Sequence, residues 1–260
     1  GAPRRPESPT AARRRGATVA AMQAATIIST IWQTLPWSDW LALAGYVGAW
    51  AGYALFAKRR ASTQPSLLGL GNRERERWML QTTGRDNRVL DGVVVQNLSV
   101  SPQFFASTTI LIIGGLLAAL STSEQASALV AEIPFAARTS ALVFDMKLVL
   151  LMAVFVYAFF RFTWSLRQYS IGVLLVAAAP ERGEYATEPA RQAYAHRAAR
   201  VMALAAETFN DGLRAYYMSF AAAAWFFSPW AMLAASAGVV WVLYRREFRS
   251  DVVSVLAEPV

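Results

Sequence analysis

The amino-acid sequence predicts an all-α fold: a polytopic membrane helical bundle of about five spans, with long helices extending into a cytoplasmic helical stalk. The first observation is the stretch 40–57, which contains no charged residue and is followed directly by Lys58, Arg59 and Arg60. A helix of this length and apolarity can cross a bilayer, and the cations favour the cytoplasmic side. The second observation is composition, because 55% of residues are hydrophobic and only 16% are charged. A typical soluble domain is less apolar and more charged.

Composition also limits the kinds of catalytic, redox and metal sites that the chain can form. The chain contains no cysteine and a single histidine, His196, which argues against disulfides, thiolate nucleophiles, iron–sulfur clusters and cysteinyl zinc sites. We therefore expect no cofactor and no metal. The net charge of +8 comes from cations beside apolar segments, so the predicted partners are the lipid bilayer and anionic lipid headgroups at its cytoplasmic face. We expect no nucleic acid partner.

The predicted domain organisation begins with a disordered leader at residues 1–21, which are rich in Pro, Arg and Ala. Met22 lies close to the expected native start, so the leader need not be part of the native protein. A signal peptide is the alternative reading. Residues 22–38 are predicted to form an interfacial segment, residues 39–251 a single integral membrane domain, and residues 252–260 a tail.

Five spans are predicted at residues 40–57, 104–120, 141–160, 213–227 and 230–244. A continuous helix over residues 213–244 would measure about 48 Å, well beyond a hydrocarbon core of about 30 Å. Ser228 and Pro229 offer a turn at its midpoint, which returns the arginines after residue 244 to the cytoplasm. The alternative is four spans. With five spans the N-terminus lies outside and the C-terminus is cytoplasmic, and we expect the bacterial inner (plasma) membrane.

Three cytoplasmic helices are predicted at about residues 72–100, 161–179 and 187–212. The first runs towards the second span with only Pro102 between them, and Pro180 ends the second. Each helix has an apolar stripe that needs a partner, so a compact stalk is expected.

The first candidate site is a polar network in the stalk. Glu207, Asp211 and Arg214 share one helical face, and they could form a relay for an ion or a proton. The alternative is a ladder of ion pairs with partners such as Arg85 or Arg88 on another helix. If the stalk helices pack, a second pair would join the same buried network. The full candidate set comprises Arg88, Asp91, Glu207, Asn210, Asp211 and Arg214.

The second candidate set lies inside predicted spans. Asp145 and Lys147 are the charged residues of the third span, and charge within a membrane indicates function by default. Lys147 could instead extend its amine to the outer headgroups. Ser107, Thr108 and Thr109 distribute hydroxyls around the second span, where they could line a pore or bond to their own helix and its neighbours.

Five short strings, taken in order, carry a resemblance to a known family. They are Arg77-Trp78-Met79, Arg85-Asp86-Asn87-Arg88 with Asp91, residues 104–111 (FFASTTIL), residues 164–168 (WSLRQ) and residues 209–217 (FNDGLRAYY). The chain resembles the membrane-protein family catalogued as domain of unknown function 599, found in bacteria and plants, over about residues 39–251. The resemblance implies an integral helical membrane protein and brings no activity and no catalytic residues.

Three function classes follow. The predicted function is a non-catalytic scaffold, an accessory subunit of a larger membrane complex, or a small homo-oligomeric assembly. The alternative is a channel or transporter for a small ion or solute that uses polar residues at the cytoplasmic mouth. A membrane enzyme ranks third, because no acid, base and nucleophile converge in the sequence, and we expect that the protein is not an enzyme.

Overall fold

The computed structural model describes residue 22 and residues 35–61, 63–131 and 140–258, where helices alternate with short turns and no strand occurs. The predicted leader and most of the predicted interfacial segment lie outside these residues. Contacts divide the chain into two units, residues 1–41 and 42–260. The candidate site lies entirely in the second unit. The all-α prediction is confirmed.

The described α-helices are numbered in chain order. They are α1 (Trp37–Arg60), α2 (Leu67–Thr82), α3 (Val89–Ser121), α4 (Ser123–Ala131), α5 (Ala141–Ala177), α6 (Glu188–Ala224), α7 (Pro229–Phe248) and α8 (Asp251–Ala257), with a 3-10 turn at Arg182–Glu184. Three of them, α1, α3 and α5, are long and apolar enough to cross a membrane. Helices α6 and α7 do not meet the same criteria of length and apolarity, so the count of five spans stays a prediction.

The predicted stalk helix over residues 72–100 is wrong as one element, because the chain turns within it. Helix α2 ends at Thr82, and the Gly84 amide donates to the Gln81 carbonyl at 2.9 Å. The side chain of Asn87 then accepts from the Val89 amide at 3.0 Å at the start of α3. Glycine and asparagine favour turns because they tolerate the backbone angles and local bonds that turns need. These local bonds end α2 and start α3, whereas the pattern of mixed charge had predicted one continuous helix.

The proline at position 102 does not separate stalk from span. Pro102 lies buried inside α3, which continues through it to Ser121. Proline lacks the amide that would bond one turn back, but a helix in an apolar setting can absorb one missing bond when neighbouring helices support it. The second predicted span and the residues before it therefore form one rod.

Capping residues explain the remaining boundaries. Ser228 accepts from the Ala231 amide at 2.9 Å, so α7 begins at Pro229 after a short turn that follows α6. Most of the predicted tail over residues 252–260 belongs to α8, which covers residues 251–257 with Asp251 in its first turn and Val253 buried. An acidic residue stabilises the first turn of a helix through the helix dipole.

Helices α5 and α6 pack along much of their length, with α3 against α5, and with α2 and α7 against α6. We call residues 67–100, 161–177 and 188–208 the stalk. Its apolar core joins four helices through Met79, Val95, Tyr169, Val176, Ala195, Ala198, Ala199, Met202 and Ala205. The alanines give α6 a smooth face that allows close approach. A Cβ at Gly172 would lie 2.5 Å from the end of the flexible Met202 side chain, which would have to shift to accept it.

A cluster of rings fills the interface above the stalk, and we call it the aromatic layer. It consists of Phe105, Phe155, Phe162, Phe209 and Tyr216, with ring centroids 5.2–6.0 Å apart. Phe162 is fully buried, and a Cβ on Gly212 would lie 2.5 Å from its ring. Gly212 therefore lets α6 approach α5 closely at this level.

Candidate functional site

A cavity of about 690 Å³ lies where the apolar part of α1 meets α2, α5, α6 and the end of α7. We call it the charged cavity. Its polar lining consists of Lys58, Asn72, Arg161, Arg200, Glu207, Thr208, Asp211, Arg214 and Glu247. Its apolar lining comes mainly from the end of α1 and the residue that follows it, through Ala54, Leu55, Ala57 and Ala61, together with Leu68 and Leu204. Three of the six residues of the predicted network lie here.

Asp211 lies at the end of the aromatic layer that is nearer the stalk, where its carboxylate accepts hydrogen bonds from arginine side chains. Its carboxylate forms an ion pair with Arg161, which lies on α5, and a second contact with Arg214 at 3.4 Å on its own helix. The Arg214 guanidinium also lies over the ring of Tyr53, 5.6 Å from the centroid. One carboxylate thus connects α5 and α6, and Arg214 extends the contact to α1. Ion pairs that are half-buried resist screening by salt better than exposed pairs.

Glu207, one turn before Asp211 and within the stalk, has a different set of partners. Asn72 Nδ2 on α2 and Arg200 Nη1 on α6 each donate to its carboxylate at 3.3 Å. The Asn72 side-chain oxygen accepts from Arg75 at 2.9 Å. Burial lowers the pKa of the Arg75 guanidinium, and the negative charge of Glu207 opposes that shift. This chain of contacts connects α2 to α6.

Glu247 completes the acidic side of the cavity from α7. Its carboxylate accepts from the backbone amide of Leu68 at 3.3 Å, in the first turn of α2. Ser66 caps the same helix by accepting from the Gly69 amide at 3.1 Å. A carboxylate at a helix N-terminus is favourable because the first amides lack partners within the helix. The start of α2 is therefore satisfied by protein groups.

Arg88 and Asp91 do not belong to the charged cavity, although the sequence suggested one network. Arg88 donates to the backbone carbonyls of Ala179 and of Pro180, the latter at 2.5 Å. These carbonyls follow the end of α5, where the helix leaves acceptors without partners. Arg88 thus acts as a cap for a neighbouring helix. Asp91 forms its hydrogen bonds with other residues.

Asp91 is fully buried at the junction of α2 and α3. One carboxylate oxygen accepts from Trp78 Nε1 at 2.6 Å, from Thr82 Oγ1 at 2.9 Å and from Arg85 at 2.9 Å. These partners come from α2 and the turn after it, so the predicted contact of Arg85 with the α6 charges is wrong. The cluster closes the helix junction. Asn210, the last member of the predicted network, lies half-buried on α6 beside Asp211.

The intramembrane candidates have separate environments. Lys147 is 2% exposed, and its ammonium lies 5.6 Å from the Trp225 ring and 5.8 Å from the Phe226 ring. The expectation that it extends to the headgroups is wrong, because the end of α6 covers it and offers ring faces to the cation. Asp145, two residues earlier, is half-buried, and its Oδ1 has no hydrogen-bond partner among the described residues.

The three hydroxyl side chains of the second predicted span also lie in different environments. Ser107 is exposed on the outer side of α3, Thr108 is half-buried, and Thr109 is fully buried. The Thr109 hydroxyl lies 2.5 Å from the Phe105 carbonyl, to which it donates, and 2.6 Å from the Tyr216 hydroxyl. Thr109 thus joins α3 to α6 beside the aromatic layer, and these hydroxyls do not form one row.

Comparison with known protein families gives a match to one family. A family model described as "Protein of unknown function, DUF599" matches residues 41–252. The chain belongs to this family. The resemblance predicted over about residues 39–251 is therefore confirmed. No curated protein and no solved structure matches the chain.

Sequence reasoning on this DUF599 chain missed the partners that build the charged cavity. Lys58 was assigned only a role in orientation, while Arg161, Asn72, Arg200 and Glu247 were not considered as site residues. A usable signal existed, because Arg161 and Asp211 each lie where an apolar span meets the stalk. Antiparallel helices that cross the same bilayer bring such end positions to the same depth.

The arrangement of charges in the cavity can bind a charged group. Among residues 35–61, 63–131 and 140–258, no cluster of three or more histidine and carboxylate side chains could hold a metal ion. The acidic residues of this DUF599 cavity are engaged by arginines, an amide side chain and a backbone amide. The chemistry available there is electrostatic recognition.

Proposed function

We propose that this DUF599 protein is a non-catalytic scaffold of a membrane, which crosses the bilayer five times and holds partner proteins or further copies of itself through its lateral helix faces. The charged cavity and the stalk lie on the cytoplasmic side in this arrangement, because Lys58, Arg59 and Arg60 follow the first span. The membrane is the bacterial inner membrane.

The observation that carries the proposal is the mainly apolar interface between the two polar regions. Along α5, Phe155 lies between Lys147 and Arg161, and along α6, Tyr216 lies between Trp225 and Asp211. The residues that α6 buries in this interval are mainly small or apolar: Ala215, Met218, Ser219, Ala221 and Ala222. A conduit would need polar groups or water through this interval. The described side chains fill it with rings and alanines.

The lateral surface supports the scaffold role. Phe104, Ile110 and Leu111 are exposed on α3, and a Cβ at Gly114 or Gly115 would meet no atom within 4 Å. A groove of about 610 Å³ also runs between α1 and α7, lined by Gly48, Ala49, Gly52, Tyr53, Phe56, Ala237, Val240, Trp241 and Tyr244. Small residues on a span allow another helix to approach closely in a membrane. These faces are available for lipid or for partner helices.

Cysteine labelling tests the closed interface, since the chain contains no native cysteine. Leu204→Cys introduces a thiol at a half-buried position of the charged cavity, and Ser219→Cys introduces one at a buried position in the apolar interval. In native membrane vesicles, a membrane-impermeant maleimide should label position 204 from the cytoplasmic side and leave position 219 unlabelled. Both variants should label fully after SDS denaturation. Labelling of position 219 at a rate close to that of position 204 would overturn the closed scaffold.

The same approach tests the span count. Cysteines at Ser228 and Ser250 should react from opposite faces of the membrane if α6 and α7 both cross it. Reaction from one face would exclude the five-span arrangement.

A channel or transporter is the second candidate, and the buried Lys147 is the observation that favours it. A cation enclosed in a predicted span is costly and is usually retained for a function. Lys147→Met tests this, because a methionine of similar length fills the same space without the charge. A scaffold should keep its fold and its assembly size in the variant, whereas a conduit should lose its flux in reconstituted vesicles.

A further inference from the structure

The charged cavity carries more positive charge than its own acidic residues balance. Its seven charged side chains are the cations Lys58, Arg161, Arg200 and Arg214 and the anions Glu207, Asp211 and Glu247. Asp211 accepts from two of the arginines, and Glu207 accepts from the third. One positive charge is left over, and a cavity half-open to its surroundings can accept an anion to balance it.

Two donors in the cavity are uncommitted. Lys58 takes part in none of the ion pairs formed among the described residues, and its side chain is exposed. Arg161 uses Nη2 for Asp211, while its Nη1 forms no hydrogen bond in the described part of the chain. The Arg161 side chain is 32% exposed and lines the cavity, so this nitrogen can reach an anion there. An oxyanion seated beside Arg161 would give it an acceptor.

The other wall of the cavity is apolar and belongs to a predicted span. Ala54, Leu55 and Ala57 line it from the last turns of α1, and Leu55 is 59% exposed. The cationic run that begins at Lys58 follows directly, at the level where lipid headgroups lie. The cavity therefore offers cations beside a surface that faces acyl chains. A volume of about 690 Å³ is within the range of sites for small organic ligands.

We infer that the charged cavity binds the phosphate of a glycerophospholipid headgroup. Lys58 and the Nη1 of Arg161 donate to the phosphate oxygens, and the apolar wall beside Leu55 receives the first carbons of an acyl chain. Charge-assisted bonds to phosphate are stronger than neutral ones, so two donors suffice for selective retention. A soluble phosphate ester carries the same anionic group but lacks the chain that the apolar wall would contact. The inference does not depend on the scaffold function.

Native mass spectrometry of the full-length protein in detergent, at 0.15 M salt, tests the site. Dioleoyl phosphatidylglycerol is the probe, dioleoylglycerol is the matched lipid without phosphate, and glycerol 3-phosphate is the matched phosphate without chains. We expect one tightly retained phosphatidylglycerol per chain, no retained dioleoylglycerol, and glycerol 3-phosphate bound about a hundredfold more weakly or less. Equal retention of dioleoylglycerol would overturn the phosphate site, and equal affinity for glycerol 3-phosphate would overturn the lipid assignment.

A variant of Lys58 locates the site, and a variant of the neighbouring cation Arg59 is its control. Lys58→Gln should weaken phosphatidylglycerol binding about tenfold, as expected for loss of a charge-assisted bond. Arg59→Gln removes the same charge one residue away and outside the cavity lining, and should weaken binding about twofold or less because salt screens exposed charges. Equal effects of the two variants would overturn the inference in favour of general attraction to a basic surface.

Arg161→Lys provides an independent measurement. Lysine keeps the positive charge opposite Asp211 but lacks the second terminal nitrogen of arginine, so binding should fall several-fold while the helical content measured by circular dichroism is retained. Unchanged binding in the folded variant would remove Arg161 from the site and overturn the proposed pair of donors. If this variant lost its fold, the Lys58 and Arg59 comparison would still decide the inference.

Discussion

Replacing Asp91 with alanine removes the acceptor of three hydrogen bonds at the junction of α2 and α3. The carboxylate is 0% exposed and accepts from Trp78, Thr82 and Arg85. This junction fixes α2 against the start of α3. Loss of these hydrogen bonds should therefore lower the free energy of unfolding of the whole helical unit. Asp86, five residues earlier, is exposed and serves as the matched control.

The magnitude follows from what each partner loses. The indole N–H of Trp78 would be left without its acceptor at a cost of about 1–3 kcal/mol. The Thr82 hydroxyl loses less, because it also lies 2.9 Å from the Trp78 carbonyl and can donate its one hydrogen there. Arg85 is 39% exposed, so water can replace much of its ion pair, which contributes about 0.5–1 kcal/mol. Together the loss is about 3 kcal/mol, at the lower end of the effect of breaking a buried pair.

Asp91→Asn separates charge from hydrogen bonding. The amide oxygen can still accept from Trp78, but the ion pair with Arg85 is lost and the amide nitrogen replaces Oδ2, which has no partner among the described residues. We expect a loss of about 2 kcal/mol, smaller than for alanine. Asp86→Asn should change the unfolding free energy by less than about 0.5 kcal/mol, as exposed substitutions usually do.

The assay is SDS titration of the purified protein in mixed micelles, followed by far-ultraviolet circular dichroism, which reports the helices. The expected order of unfolding free energies is wild type and Asp86→Asn together, then Asp91→Asn, then Asp91→Ala. An Asp91→Ala protein within about 1 kcal/mol of wild type would refute the reasoning, since a buried donor would then have lost its acceptor without cost. Equal destabilisation by the Asp86 control would refute the assignment to this site.

Two further predictions concern the packing of α6. Gly212→Ala should destabilise by about 1–3 kcal/mol, because the new methyl would meet the buried Phe162 ring, whereas Gly114→Ala, which faces open space, should be neutral or stabilising by up to about 1 kcal/mol. The same SDS titration checks both, and equal effects would contradict the close approach of α5 and α6. Thr109→Val should cost about 1 kcal/mol by removing the hydroxyl beside Tyr216. A valine variant as stable as wild type in thermal unfolding would show that this bond contributes nothing.

Much of the helical architecture could be predicted because it depends on local rules. The third predicted span continues into the stalk and ends before Pro180, as the absence of a breaker before that proline indicated. The turn at Ser228 and Pro229 follows from a capping side chain and a residue suited to the first helical position. The turn after Thr82 was missed because charge patterning was weighted above the glycine and asparagine that form it.

The partners of the charged residues could not be predicted by the same means. The spacing of Glu207, Asp211 and Arg214 placed them on one face of a helix, but spacing does not say which helix lies opposite. Arg161 lies opposite because α5 and α6 run side by side and their stalk-facing ends coincide in depth. Lys147 was misjudged for a related reason, since the end of α6 covers it.

The sequence by itself determined that the chain is helical, that long apolar segments alternate with basic connectors, and to which family it belongs. These properties follow from composition, periodicity and capping, which act over a few residues or one span. Only the tertiary structure decided that Asp91 closes a helix junction, that Arg88 caps α5, and that α1, α2, α5, α6 and α7 enclose a cavity with one surplus cation. Those properties depend on which faces pack together, and side chains from distant parts of the chain meet only when the helices have docked.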